Sequence, residues 1–153
     1  MSAKKILVVE DDRASAAVLA YKLKGSGYIV VSAPDGSTAV NMVRTENPDL
    51  MILDLGLPPQ NPFAGPNWDG FSVMDWLHRS QPDQRLPIIV VTAWDPLLAR
   101  NRALDAGAMA YFQKPVQFEE LLATIRIALG ESGGPVPAQT QQPRTGPGTP
   151  PSG

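Results

Sequence analysis

The chain has 153 residues, of which 43% are hydrophobic, enough for one domain with a core of its own. Its 13 basic and 15 acidic residues give a net charge of −2 with no Lys or Arg cluster, which argues against a direct nucleic-acid surface. The absence of cysteine excludes disulfides and thiolate metal sites, and no stretch approaches the roughly 18 apolar residues of a membrane span. We therefore expect a cytoplasmic protein without a membrane partner.

Five runs rich in apolar, β-branched residues predict five strands. The first, KKILVVE, is almost continuously apolar, which is typical of a strand covered on both faces in a parallel sheet. The predicted strands are residues 4–10, 28–33, 49–54, 86–93 and 109–113.

An amphipathic stretch that predicts a helix follows each strand. Asp12 and Asp95 are placed to cap the first and fourth helices, and Pro48 stops the second. The predicted helices are residues 12–27, 37–47, 70–81, 95–107 and 117–130. The inward side chains predicted for the third helix are Phe71, Val73, Met74 and Leu77. Five repeats of strand and helix predict an α/β domain, with a five-stranded parallel sheet between two layers of helices.

The last 23 residues differ in composition from the rest. Residues 131–153 hold 6 of the 16 prolines and 5 of the 13 glycines, and Val136 is their one apolar residue larger than alanine. Such a segment cannot bury enough apolar surface to offset its ordering entropy. We expect a disordered tail or a linker after residue 130.

Polar residues stand where four of the predicted strands end. Because parallel strands place their carboxyl ends at one edge of the sheet, these residues are expected to converge there. They are Glu10, Asp11, Asp54, Thr92 and Lys114. Three converging acids repel one another unless a cation joins them, and carboxylates with open positions suit Mg²⁺. A Thr and a Lys facing the same cation indicate a bound phosphoryl group, with the central Asp as its nucleophile.

Each of these residues has an ordinary structural explanation when taken alone. An acid after a strand is commonly a helix cap or a solvated loop charge, and we assign Asp12 to capping. A Thr in a strand or a surface Lys needs no function. Their joint occurrence at four strand ends favours a functional site.

The motifs at these ends resemble those of a known family, the receiver domains of bacterial two-component response regulators. The matching segments, in this order along the chain, are VVEDD, LDLGLP, VVTA and YFQKP. The resemblance covers residues 4–130 and implies a flavodoxin-like (βα)5 fold with strand order 2-1-3-4-5. It makes residues 1–130 a stand-alone receiver domain.

The resemblance also implies an acceptor and a metal site. Asp54 would take a phosphoryl group from a histidine kinase or a phosphotransfer protein. Asp11 and Asp54 would bind Mg²⁺ directly, with Glu10 alongside through water, and the backbone carbonyl of Gly56 would be a further ligand. Such a domain catalyses only its own phosphorylation and dephosphorylation and is otherwise not an enzyme.

Three further residues take switching roles by the same resemblance. Lys114 would pair with the phosphoryl oxygens, and the peptide bond before Pro115 would be cis. The Thr92 hydroxyl would turn toward the phosphoryl group, and Tyr111 would rotate inward into the space that Thr92 leaves. The fourth helix and fifth strand would then present a changed face to a downstream protein.

The loop after the acceptor strand departs from the family pattern. Residues 58–69 form a much longer connection than the family's short turn and include Phe63 and Trp68. One interpretation is a neutral surface insertion, since loop length costs little free energy. The other is a docking or lid element, since two aromatic side chains are costly to expose.

A second departure concerns the two positions that tune acyl-phosphate hydrolysis in this family. These are Gly56, which has no side chain, and Trp94, which is large. We hypothesise that Trp94 partly shields the site from water.

Two other classes of function are consistent with a parallel sheet that carries an acidic edge. A phosphohydrolase of the haloacid dehalogenase type also uses an Asp nucleophile, but it needs a second Asp at the position of Gly56. A flavodoxin-like cofactor site needs a phosphate-cradling loop after the first strand, where this chain has acids that repel phosphate.

Overall fold

The computed structural model describes residues 3–57, 69–81 and 86–131. Its centre is a parallel five-stranded sheet in the order β2-β1-β3-β4-β5, which confirms the predicted fold and strand order. The strands are β1 Lys5–Val9, β2 Ile29–Ala33, β3 Leu50–Leu53, β4 Ile88–Thr92 and β5 Ala110–Gln113. β4 begins two residues later than predicted, after Pro87, because proline has no N–H to donate to a strand ladder.

Five helices connect and cover the strands. They are α1 Arg13–Gly25, α2 Gly36–Glu46, α3 Gly70–Ser80, α4 Pro96–Asp105 and α5 Phe118–Ala128. The predicted caps are confirmed, since the side chain of Asp12 accepts a hydrogen bond from the Ser15 N–H and that of Asp95 from the Leu97 N–H. α2 ends at Glu46, and its C-cap Asn47, which directly precedes Pro48, is in the left-handed conformation.

Alternate residues of the central strands face two different helix layers. On β1, Leu7 and Val9 pack with α2, α3 and α4, while Ile6 and Val8 pack with α1 and α5. Every residue of β3 and β4 is buried. Burial of each large aliphatic side chain contributes about 1.5–3 kcal/mol, so this double-sided core fixes the register that aligns the strand ends.

α3 approaches the end of β3 very closely. Its four predicted inward side chains are all buried, as expected. A Cβ atom on Gly70 would lie 2.7 Å from the Cα of Leu55, so only glycine fits at the first position of this helix. Asp69 caps the helix by accepting a hydrogen bond from the Ser72 N–H at 2.8 Å. The start of α3 is thereby held against the segment that follows Asp54.

Two predicted features fall wholly or mostly outside the described residues. They are the insertion, with Phe63 and Trp68, and the tail from residue 132 onward. Among the helices of residues 3–57, 69–81 and 86–131, none has the length and apolar character needed to cross a bilayer, and the longest has 13 residues.

Candidate functional site

The carboxyl ends of β1, β3, β4 and β5 form one edge of the sheet. Val9 lies opposite Leu53 in the pairing of β1 with β3, so the next residues, Glu10 and Asp54, leave the sheet side by side. Thr92 is the last residue of β4 and pairs with Gln113, which directly precedes Lys114. Strand register therefore brings these polar residues to one edge, as the sequence predicted.

Three carboxylates form a compact cluster at this edge. One oxygen each of Glu10, Asp11 and Asp54 lies within 4.8 Å of the others. Glu10 and Asp54 are only 8% and 7% exposed, whereas Asp11 is open to solvent. Two of the acids are therefore largely removed from water, and the third can meet an incoming ligand.

Lys114 joins two of these acids. Its Nζ atom lies 2.5 Å from Oε1 of Glu10 and 3.0 Å from Oδ2 of Asp54. Its backbone N–H donates to the Thr92 carbonyl at 2.8 Å, which holds the lysine beside the end of β4. The peptide bond between Lys114 and Pro115 is cis, as the resemblance implied.

Burial and charge alter the pKa values of Glu10 and Lys114. Burial raises the pKa of Glu10 above its usual value, more than its hydrogen bonds from Lys114 and from the Asp12 N–H lower it. Burial alone would lower the pKa of Lys114, but the hydrogen bonds and negative charges of Glu10 and Asp54 outweigh it and raise that pKa. The lysine thus stays charged at neutral pH.

The charge balance of the cluster fits a divalent cation. The three carboxylates, when ionised, carry three negative charges, and Lys114 supplies one positive charge. Two negative charges remain, which Mg²⁺ would neutralise, and the donor atoms are oxygens of the kind that Mg²⁺ prefers. These residues therefore fit Mg²⁺ by charge and by ligand chemistry.

Thr92 and Tyr111 are linked through the backbone of Trp94. Oγ1 of Thr92, which is fully buried, accepts a hydrogen bond from the Trp94 N–H at 3.4 Å. The hydroxyl of Tyr111 donates to the Trp94 carbonyl at 2.8 Å, and its ring is buried. Tyr111 is thus already inward in this structure, and the expected link between its rotation and phosphorylation stays a prediction.

The indole of Trp94 lies close to Gly56, in the segment that follows β3. Its Nε1 atom would be 3.1 Å from a Cβ atom on Gly56, whose N–H donates to Oδ1 of Asp54 at 2.9 Å. The indole also packs against the Phe71 ring, with centroids 6.2 Å apart, and the guanidinium of Arg102 lies 3.7 Å above that ring. Sequence reasoning missed the contact of Phe71 and Arg102 with this region, since nothing in their spacing relates them to Trp94.

Comparison with known proteins agrees with this geometry. The sequence profile of the response regulator receiver domain matches residues 6–126. The response regulator MprA of Mycobacterium avium (strain 104) is 41% identical over 125 residues, which are 82% of this chain and 50% of the relative. MprA of Mycobacterium tuberculosis (strain ATCC 25618 / H37Rv) matches with the same identity and coverage. The chain spans about half the length of these curated relatives.

Solved structures give the same result. A CheY-like response regulator receiver domain protein from Methanospirillum hungatei JF-1 aligns with a TM-score of 0.73 and 30% identity, covering 85% of this chain and 96% of that one. The BeF3-activated receiver domain of Klebsiella pneumoniae RstA aligns with a TM-score of 0.71 and 32% identity, covering 82% and 98%.

Receiver domains are signalling domains that accept a phosphoryl group, work with histidine kinases and bind Mg²⁺ at an acidic pocket. The profile covers most of this chain, and the fold and the acidic edge agree with it. The resemblance seen in the strand-end motifs is thereby confirmed: the chain belongs to the response regulator receiver domain family.

Proposed function

We propose that Asp54 is the acceptor, and that it takes its phosphoryl group from the phosphohistidine of a histidine kinase or phosphotransfer protein. The observation that carries this assignment is the position of Asp54 in the carboxylate cluster, where Lys114 lies 3.0 Å from its Oδ2 atom. β3 lies between β1, which leads into the acids Glu10 and Asp11, and β4 and β5, which lead into the hydroxyl and cationic residues. Glu10 and Asp11 share the cluster but do not lie between these two sets of residues. Asp54, the residue that directly follows β3, lies between these two sets.

The transfer needs few groups from the protein. A carboxylate oxygen of Asp54 forms a bond to phosphorus while the P–N bond of the donor breaks. The imidazole nitrogen leaves with the electron pair of that bond and takes up a proton. Lys114 then pairs with a phosphoryl oxygen, and the Thr92 hydroxyl donates to another. Hydrolysis reverses the modification, as water attacks phosphorus and the Asp54 carboxylate is restored with release of phosphate.

We assign the metal ligands to the carboxylates of Glu10, Asp11 and Asp54, with Glu10 acting through water, and to the carbonyl of Gly56. Bound Mg²⁺ would neutralise negative charge that gathers as the phosphoryl group approaches these acids. The exposure of Asp11 and Gly56 supports this assignment, since a ligand must reach the cluster from solvent.

The output is a changed protein-binding face on α4 and β5. Two leucines at the start of α4, Leu97 and Leu98, are 92% and 80% exposed, an unusual position for large apolar side chains. They follow Trp94, whose backbone binds both Thr92 and Tyr111. A shift of the Thr92 hydroxyl toward the phosphoryl group would move the Trp94 backbone bonded to it, and this movement would reach the α4 surface directly.

Trp94 is assigned to shielding the phosphoryl group from water. Its side chain is 41% exposed and lies beside Gly56, which has no side chain to cover the site itself. The phosphohydrolase alternative gains no support, since Gly56 offers no acid or base.

We also propose that residues 1–130 form the receiver domain and that residues 131–153, which are rich in Pro and Gly, follow it and form no part of it. The profile match to residues 6–126 supports the first part. A cytoplasmic location would give the domain access to the kinase. The downstream partner is a protein rather than nucleic acid, in keeping with the absence of a Lys/Arg cluster.

Incubation with acetyl phosphate, followed by intact mass measurement, tests the acceptor assignment. We expect one phosphoryl adduct that requires Mg²⁺ and disappears in Asp54→Asn. Asp12→Asn is the matched control, because its side chain caps α1 and lies outside the cluster. An adduct that survives Asp54→Asn, or one that forms equally well in EDTA, would overturn the assignment.

A further inference from the structure

We propose that Gly56, Phe71 and Arg102 form a seat for the Trp94 indole, and that this indole seat sets the lifetime of the phosphoryl group. The inference rests on the proposed acceptor role of Asp54 and adds two positioning residues from α3 and α4 to it. Neither Phe71 nor Arg102 belongs to the acidic cluster, so their effect would pass through Trp94.

Gly56 provides the space for the indole. A Cβ atom at this position would lie 3.1 Å from Nε1 of Trp94, closer than side chains usually come, and 3.9 Å from Cδ1, an ordinary contact distance. The same Cβ would lie 3.7 Å from Oδ1 of Asp54. The indole therefore occupies the place beside the acceptor carboxylate that a side chain at position 56 would otherwise fill.

Phe71 packs against the indole, and Arg102 in turn packs on the Phe71 ring. Phe71 is the second residue of α3, and its ring is buried, so its position is fixed by the core. The Trp94 ring meets it at a tilt of 50°. The Arg102 guanidinium, 3.7 Å from the centroid of the Phe71 ring, ties α4 to α3 through a cation–π contact. Trp94 precedes α4 by two residues, so this contact also fixes the approach of the indole to the site.

The backbone of Trp94 is held at the same time by the two predicted switch residues. Its N–H donates to Thr92 Oγ1, and its carbonyl accepts from the Tyr111 hydroxyl. Because a hydroxyl can donate and accept together, Thr92 can bind a phosphoryl oxygen without releasing the Trp94 N–H. The indole can thus remain seated in the phosphorylated state, where it restricts the approach of water to phosphorus.

The decisive measurement is the rate at which the phosphoryl adduct is lost, with Arg102→Gln compared in two backgrounds. In the otherwise wild-type chain, we expect Arg102→Gln to shorten the adduct lifetime about two- to fivefold, the size that one exposed cation–π contact allows. Arg102→Lys, which keeps the cation, should restore part of the lifetime. In a Trp94→Ala background, which is itself short-lived, Arg102→Gln should have no further effect. Arg100→Gln, on the same helix, is the matched control and should leave the lifetime unchanged.

Acrylamide quenching provides a readout that needs no phosphorylation. The fluorescence of Trp94 is obtained by subtracting the fluorescence of the Trp94→Phe variant from that of the protein that keeps Trp94. We expect Arg102→Gln to make this Trp94 fluorescence easier to quench. Phe71→Leu should act in the same direction, and its unfolding curve checks that the domain remains folded.

A wild-type lifetime in Arg102→Gln, or a shortening that persists undiminished in the Trp94→Ala background, would overturn the inference. Unchanged quenching of Trp94 in Arg102→Gln would overturn the seat itself. Failure of the wild-type protein to form any adduct would instead contradict the acceptor role of Asp54 and, with it, the claim on lifetime. The quenching result would then still decide whether the seat exists.

Discussion

At the scale of single residues, the cluster of Glu10, Asp11 and Asp54 carries more negative charge than Lys114 can neutralise. Lys114 neutralises part of the field of Glu10 and Asp54, yet burial still raises the pKa of Glu10. The charged form of this buried acid therefore costs folding free energy. A cation that binds the cluster should offset that cost, so metal binding should be measurable as stability.

We expect Mg²⁺ to raise the free energy of unfolding by about 2.7 kcal/mol at 100 times its dissociation constant. Urea unfolding with and without Mg²⁺ measures this gain. Asp11→Asn and Asp54→Asn each remove a charged ligand, so the gain at the same concentration should fall toward zero. Asp12→Asn keeps an N-cap and should keep the gain. Equal gains in all four proteins would contradict the proposed ligands.

At the scale of elements, the caps and the apolar runs made the helices and strands predictable. The first and fourth helices begin after Asp12 and Asp95, as expected, because N-capping is a local interaction. The acidic edge was predictable because strand ends in a parallel sheet align. The contact of Phe71 with Trp94 and Arg102 was not, since it depends on how α3 packs against α4.

The close approach of α3 to β3 gives a prediction for Gly70→Ala. The added methyl group would meet the Leu55 backbone at 2.7 Å, so α3 must shift away from the acceptor segment. We expect a loss of about 1–3 kcal/mol in stability, measured by chemical unfolding, and slower labelling by acetyl phosphate.

Gly25→Ala is the matched control for this substitution. No atom lies within 4 Å of the position that its Cβ would take, at the end of α1. It should leave the stability unchanged or raise it by up to about 1 kcal/mol. Equal stabilities for the two variants would show that Gly70 is not required by packing.

At the scale of the whole molecule, Trp94 connects the polar edge of the sheet to the α4–β5 face, since its backbone bonds Thr92 and Tyr111 and it lies two residues before α4. The switching residues were predicted from the family motifs. Only the folded chain shows that the backbone of Trp94 binds both Thr92 and Tyr111. A change at the acceptor should therefore spread to α4 and β5 before it reaches more distant helices such as α2.

Hydrogen exchange can follow this spread. With Mg²⁺ and beryllofluoride as a phosphoryl stand-in, we expect amide exchange in residues 96–113 to change and that in residues 36–46 to stay the same. Thr92→Ala removes the hydroxyl that contacts the Trp94 N–H, so the response of α4 and β5 should be reduced. A response that is uniform along the chain, or identical in Thr92→Ala, would contradict the proposed path.

The pKa of the Tyr111 hydroxyl determines the pH range over which its hydrogen bond to the Trp94 carbonyl persists. Burial, together with the negative charges of Asp95 and Asp54, raises the pKa of this hydroxyl above its usual value, and a phosphoryl group would add charge of the same sign. The hydroxyl therefore remains a hydrogen-bond donor to the Trp94 carbonyl throughout the physiological pH range. A drift of pH within that range would therefore leave this hydrogen bond, and with it the link between β5 and the Trp94 backbone, unchanged.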